Sequence, residues 1–124
     1  MDEIKKCLDT YALMEIYLGN ERFAQYLNVD FVINDFTLAE FYGVLLKEYG
    51  ESEAELWLKK LERYSLPVTR KILIEAIKFR QENKKQDISF FDAVGYMFSV
   101  KNGYYFVTGD KEFENLPNVE FKKK

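Results

Sequence analysis

Short apolar runs in this chain keep giving way to longer stretches of helical periodicity, and that alternation leaves few folds open to it. Lys6–Leu8 is a compact strand-like start, and residues 12–18 read as a helix stopped by Gly19, the residue favoured just past a helix C-terminus. Residues 31–33 are a second apolar run. They lead into a helix predicted over 38–49, with Leu38, Phe41, Tyr42, Leu45 and Tyr49 on one face before Gly50. Over residues 51–64, Ala54, Trp57, Leu58 and Leu61 recur at helical spacing, while Glu51, Glu53, Glu55, Lys59, Lys60 and Glu62 cover the solvated side.

Pro67 interrupts that pattern, so residues 66–69 read as a short extended piece before a helix over 70–82 with Leu73, Ala76 and Ile77 facing inward. Residues 83–86 are a polar connection, and residues 90–100 are again helical, ending at Gly103. The unbroken apolar run 104–107 suits a parallel strand buried on both faces, and Val119–Phe121 is a last short strand after Pro117. The fold class is α/β: a central, mainly parallel sheet covered by helices on both sides, with right-handed crossovers. A length of 124 residues makes one domain spanning 1–124, with Lys122, Lys123 and Lys124 as a frayed basic tail.

Composition removes several chemistries. The chain has no histidine and one cysteine, Cys7, so it cannot build a Ser/His/Asp triad, a Cys/His dyad or a Cys/His zinc site. Cys7 reads as a small buried residue in a reducing compartment. The net charge of -3 gives no overall positive field, so a nucleic-acid substrate would need a local basic patch or metal ions. No apolar run is long enough to span a bilayer, and Met1, Asp2 and Glu3 lack the basic start of a signal peptide, which makes the cytoplasm the expected location.

Parallel sheets place their working sites at the carboxyl ends of the strands. Asp9 directly follows the first strand, Glu40 is placed in the first turn of the second helix, Asp92 starts the helix over 90–100, and Asp110 follows the run 104–107. Each acid has an ordinary structural explanation. Thr37-x-x-Glu40 and Ser89-x-x-Asp92 match a capping box or a close variant, and Asp9 and Asp110 suit N-caps. Four carboxylates gathered at one sheet end nevertheless oppose folding unless a cation or a proton intervenes. An all-oxygen site favours Mg²⁺ or Mn²⁺ over zinc, and phosphodiester cleavage is the chemistry it suits, since such an ion acidifies water and offsets phosphate charge.

At these residues the chain resembles the PIN domain, and within it the VapC-type ribonuclease toxins and their small archaeal and bacterial relatives. The matching stretches are Leu8-Asp9-Thr10, Thr37-Leu38-Ala39-Glu40, Ser89-Phe90-Phe91-Asp92-Ala93 and Thr108-Gly109-Asp110-Lys111-Glu112-Phe113. The resemblance implies a three-layer α/β/α domain and a metal-dependent endoribonuclease, the toxin of a type II toxin–antitoxin pair. In that comparison Asp9, Glu40 and Asp92 match the three most regular metal-binding acids, with Asp110 the more variable fourth. Thr10 and Thr108 match supporting hydroxyls. It also implies an RNA substrate, a homodimer and a small antitoxin protein as partner. Lys5 and Lys6 in the first strand and Tyr11 after Thr10 depart from the family pattern.

Aromatic residues make up 17% of the chain, more than one small core easily hides, so Tyr42, Tyr49, Trp57 and Tyr64 are candidates for a dimer face or a partner groove. The basic clusters around Lys59, Arg70 and Lys84 read as solvated faces, and Lys111 beside Asp110 is the best-placed RNA contact. Two rivals share much of this pattern: a response-regulator-like signalling domain, which usually carries paired acids after its first strand, and a non-catalytic interaction module that retains the fold.

Overall fold

The computed structural model describes residues 5–123; Met1, Asp2, Glu3, Ile4 and Lys124 lie outside them. Strand β1 (Lys6–Leu8) leads into α1 (Thr10–Tyr17) and a short α2 (Glu21–Ala24), then β2 (Phe31–Asn34), α3 (Asp35–Tyr49) and α4 (Glu51–Leu61). After the two-residue β3 (Ser65–Leu66) come α5 (Arg70–Glu82), α6 (Phe90–Asn102), β4 (Tyr105–Thr108) and β5 (Val119–Phe121). The five strands form one sheet in the order β3-β2-β1-β4-β5, and every pairing is parallel. All strand carboxyl ends therefore lie on the same edge. β1 and β4, neighbours in space but distant in sequence, mark the point where the winding of the sheet reverses.

The strands alternate between two helical layers, as the two-residue period of a strand requires. Leu8, Phe31, Ile33 and Val107 pack with Leu13 of α1 and Phe41 and Leu45 of α3, while Cys7 and Val32 meet Ile72 of α5 and Phe98 of α6 on the opposite face. Phe106 joins the latter side with Ala76, Val94 and Phe113. This is the expected three-layer α/β/α arrangement. Gly95 of α6 lies close against β4: a Cβ there would stand 2.8 Å from Phe106 Cε1.

Several boundaries move for identifiable reasons. Helix α1 starts at Thr10 rather than near 12 because Asp9 caps it, and α3 starts at Asp35 rather than 38 because the buried Asn34 side chain accepts from Phe36 N–H at 2.8 Å and Thr37 N–H at 2.9 Å. Thr37 is consequently one turn inside the helix and no cap, and Glu40 belongs to the second turn rather than the first. The predicted strand 104–107 lies one residue later, with Tyr105 38% exposed, so burial on both faces begins at Phe106. On α5 the inward residues include Ile72 and Ala76, while Ile77 is 51% exposed: the same spacing fits either stripe, and sheet packing selects the first. The residues of α2 and the following 3-10 turn, to which the periodicity assigns no element, fold because Phe23 and Tyr26 are buried.

Lys6, out of place in an apolar first strand, is accounted for by a polar clamp. Its ammonium pairs with Glu120 of β5 and lies 4.9 Å from the Tyr105 ring centroid, and the Tyr26 hydroxyl donates to the other Glu120 oxygen. The C-terminal tail is likewise less loose than expected at its first residue, because Lys122 N–H donates to the Thr108 carbonyl at 2.8 Å. The aromatic residues considered for a partner face are largely used within the chain. Tyr17 packs against Phe41, Tyr49 and Trp57, Tyr64 stacks on Phe31, and Tyr42 donates to Glu55, leaving Tyr49 as the exposed member. No helix among the described residues is long and apolar enough to cross a membrane.

Candidate active site

The four acids singled out in the sequence come from four segments and line one open cavity of about 620 Å³, together with Thr10, Tyr11, Val44, Gly109, Lys111 and Glu112. Asp9 stands at the end of β1, where it caps α1 by accepting Ala12 N–H at 2.8 Å. Asp92 lies in the first turn of α6, whose cap is Ser89. Asp110 follows β4 and caps a 3-10 turn, accepting Glu112 N–H at 3.0 Å. The capping explanation thus holds for Asp9 and Asp110, and for Ser89 at the start of α6. It fails for Glu40, whose carboxylate reaches across to α1 and accepts from the Thr10 hydroxyl at 2.5 Å.

Two hydroxyls organise these carboxylates. Thr108, fully buried at the end of β4, hydrogen-bonds the Asp9 carboxylate and accepts from Asp110 N–H at 3.1 Å, tying the acids on either side of the β1–β4 boundary. Thr10 does the corresponding work between α1 and α3. The cost of the arrangement is visible in the acidities. Burial pushes the Asp9 carboxyl up to about 8, with the charges of Asp92 and Asp110 adding to the rise against the Thr108 and Ala12 hydrogen bonds. Burial, then the charges of Glu40 and Asp110, push Asp92 up to about 6, with the Ser89 hydrogen bond opposing.

Carboxyls raised by burial and, to a lesser degree, by one another's charge are groups whose ionised form a cation would favour. The donors are all oxygen, with no histidine or thiol within the lining set, which suits a hard divalent ion. Among the described residues no three acidic side chains stand close enough together to form a metal-holding group as they are placed.

Two lining residues, and one supporting residue outside the lining, escaped the sequence reading. Glu112 is a fifth acid, brought in because the turn after Asp110 coils as a 3-10 helix. Val44 lies one turn beyond Glu40 on α3 and arrives with it. Asn34, whose cap sets the start of the helix bearing Glu40, leaves its buried Nδ2 without a hydrogen-bond partner. Only Glu112 carried a usable signal, its spacing of two from Asp110.

Comparison with known proteins now decides the family. The PIN domain model matches residues 6–119, nearly the whole chain. The chain belongs to the PIN domain family. Solved PIN-like structures agree in fold. A toxin–antitoxin complex from Klebsiella pneumoniae superposes with a TM-score of 0.77 at 19% identity, covering 96% of this chain and 99% of that one. VapC20 of Mycobacterium tuberculosis, described as a sarcin–ricin loop cleaving toxin, gives a TM-score of 0.75 at 17% identity over 90% of this chain and 95% of its own. DNA-bound VapBC from Salmonella typhimurium gives 0.74 at 21% identity over 98% of both chains. No curated protein sequence matches at a significant level. The PIN assignment takes the place of the response-regulator alternative.

Proposed function

We propose that this PIN domain is a Mg²⁺- or Mn²⁺-dependent endoribonuclease acting in the cytoplasm as the toxin of a type II toxin–antitoxin pair. The observation that carries the proposal is the gathering of Asp9, Glu40, Asp92 and Asp110 from four segments into one cavity, with two of them holding protons far above the usual carboxylate range. Asp9, Glu40 and Asp92 are the residues that would hold the ion, with Asp110 assisting. When bound, a divalent ion supplies positive charge for a phosphodiester and lowers the pKa of water.

The chain's own residues supply the rest. Thr108 holds the Asp9 carboxylate while anchoring the Asp110 backbone, and Thr10 orients Glu40, so the acidic groups are positioned before substrate arrives. Lys111, exposed at the rim, is the lining residue that can meet a phosphate with opposite charge. A small antitoxin protein and a second copy of the chain complete the proposed assembly. Support for the antitoxin comes from the neighbours that are toxin–antitoxin complexes.

The test is cleavage of single-stranded and structured RNA with Mg²⁺ or Mn²⁺ supplied, by the parent and by Asp9→Asn and Asp92→Asn. Cleavage by the parent and its loss in both variants is the expected result. Equal cutting by Asp9→Asn and the parent would refute the mechanism. If calorimetry detects no binding of either ion by the parent, the fold serves as a non-catalytic interaction module instead.

A further inference from the structure

Apart from an ion, the cavity offers a polyanion little positive charge. Five carboxylates line it against one exposed lysine, so contacts that carry no charge would add to the affinity for an RNA strand. Among the lining residues Tyr11 alone has an aromatic ring. It sits in the first turn of α1, two residues from Asp9, and lines the same cavity as the acids.

That ring is held firmly. Its Cε1 and Cζ atoms lie over Gly109, where an added Cβ would stand 2.1 Å and 2.3 Å away, distances no side chain tolerates. The Phe23 ring supports it from the core side, with centroids 5.9 Å apart. Gly109 is therefore glycine because the Tyr11 ring and the Lys122 carbonyl, 2.8 Å from that Cβ position, occupy the space a side chain would need. An aromatic ring lining the same cavity as the acids is a surface on which a nucleobase can stack.

We propose that Tyr11, seated on Gly109, is a substrate-positioning residue whose ring stacks with the base adjoining the scissile phosphate. This inference rests on the ribonuclease assignment above. Steady-state cleavage of a short single-stranded RNA in Mn²⁺ tests it with Tyr11→Leu, which keeps apolar bulk against Phe23 but has no π-face. This variant is expected to raise KM roughly tenfold, the scale of one lost base–aromatic contact, while kcat changes far less. Tyr11→Phe should bring KM back toward the parent value.

An abasic nucleotide on either side of the cut separates stacking from general damage. It should raise KM for the parent on one side of the cut and leave KM for Tyr11→Leu unmoved. A parent that cuts RNA but shows the same KM as Tyr11→Leu overturns the inference alone, as does an abasic penalty of equal size in both proteins. If the variants do not fold, a parent indifferent to abasic sites on both sides overturns it equally. A parent that cuts no RNA in Mg²⁺ or Mn²⁺ overturns the ribonuclease assignment and this inference with it.

Discussion

Asp9 concentrates the tension between folding and chemistry. It is 3% exposed, caps a helix and meets the charges of two other acids, so at neutral pH and without a cation the carboxyl largely keeps its proton. Asparagine copies the protonated acid's shape and can still accept Ala12 N–H. Asp9→Asn is therefore expected to melt no lower than the parent in chelator, while RNA cleavage falls on the order of a hundredfold or more, the scale seen when one charge-stabilising group is lost from an active site. Thermal melts in chelator beside cleavage assays check both halves; a variant that melts well below the parent would mean that Asp9 is structural. Asp9, Asp92 and Asp110 were legible in the sequence because each follows a recognisable strand end or helix start. Glu40 was legible only as a motif match, since its true position depends on Asn34 starting α3 early. Tyr11 stood out as an anomaly, but its seat on Gly109 joins segments nearly a hundred residues apart and has no local signature.

The strands and helices were read more reliably than their edges, because apolar period reports burial whereas side-chain caps set the ends, as Asn34 and Ser89 illustrate. Two element-level contacts yield predictions. Gly95 lets α6 approach β4, and the methyl of Gly95→Ala would press on the fully buried Phe106 ring, which sits among Tyr96 and Phe113 and has little room to yield. The expected cost is about 1–3 kcal/mol, read as a lower urea midpoint at unchanged slope. The edge strand β5 is clamped through Glu120. Burial opposes ionisation of that carboxyl, but the hydrogen bonds from Lys6 and Tyr26 and the charges of Lys6 and Lys122 outweigh it and hold its pKa below the ordinary 4.5. A group whose folded pKa is depressed contributes stability that is present above the unfolded value and lost as pH falls through the folded one. Urea midpoints measured from pH 6 down to pH 3 should thus fall more steeply for the parent than for Glu120→Gln, and parallel slopes would show that the clamp contributes nothing.

At the scale of the whole molecule, a parallel sheet with all its carboxyl ends on one edge concentrates negative charge there, and a bound divalent ion should stabilise the entire fold. At a hundred times its dissociation constant an ion binding only the native state contributes about 2.7 kcal/mol. For a chain of this length that raises the melting temperature by on the order of 10 °C. Scanning calorimetry with and without Mn²⁺ should register the rise in the parent and not in the Asp9→Asn, Asp92→Asn double variant; equal rises in both would place the ion elsewhere. The same architecture puts the chain's one thiol in the innermost strand: Cys7 is fully buried on β1, and burial, opposed by Ser99 and reinforced by Asp9, pushes it up to about 12. An alkylating reagent can reach that sulfur only when the central strand separates from both neighbours, so the slow modification of this native residue times the opening of the whole sheet, a built-in clock for global unfolding that needs no engineered label.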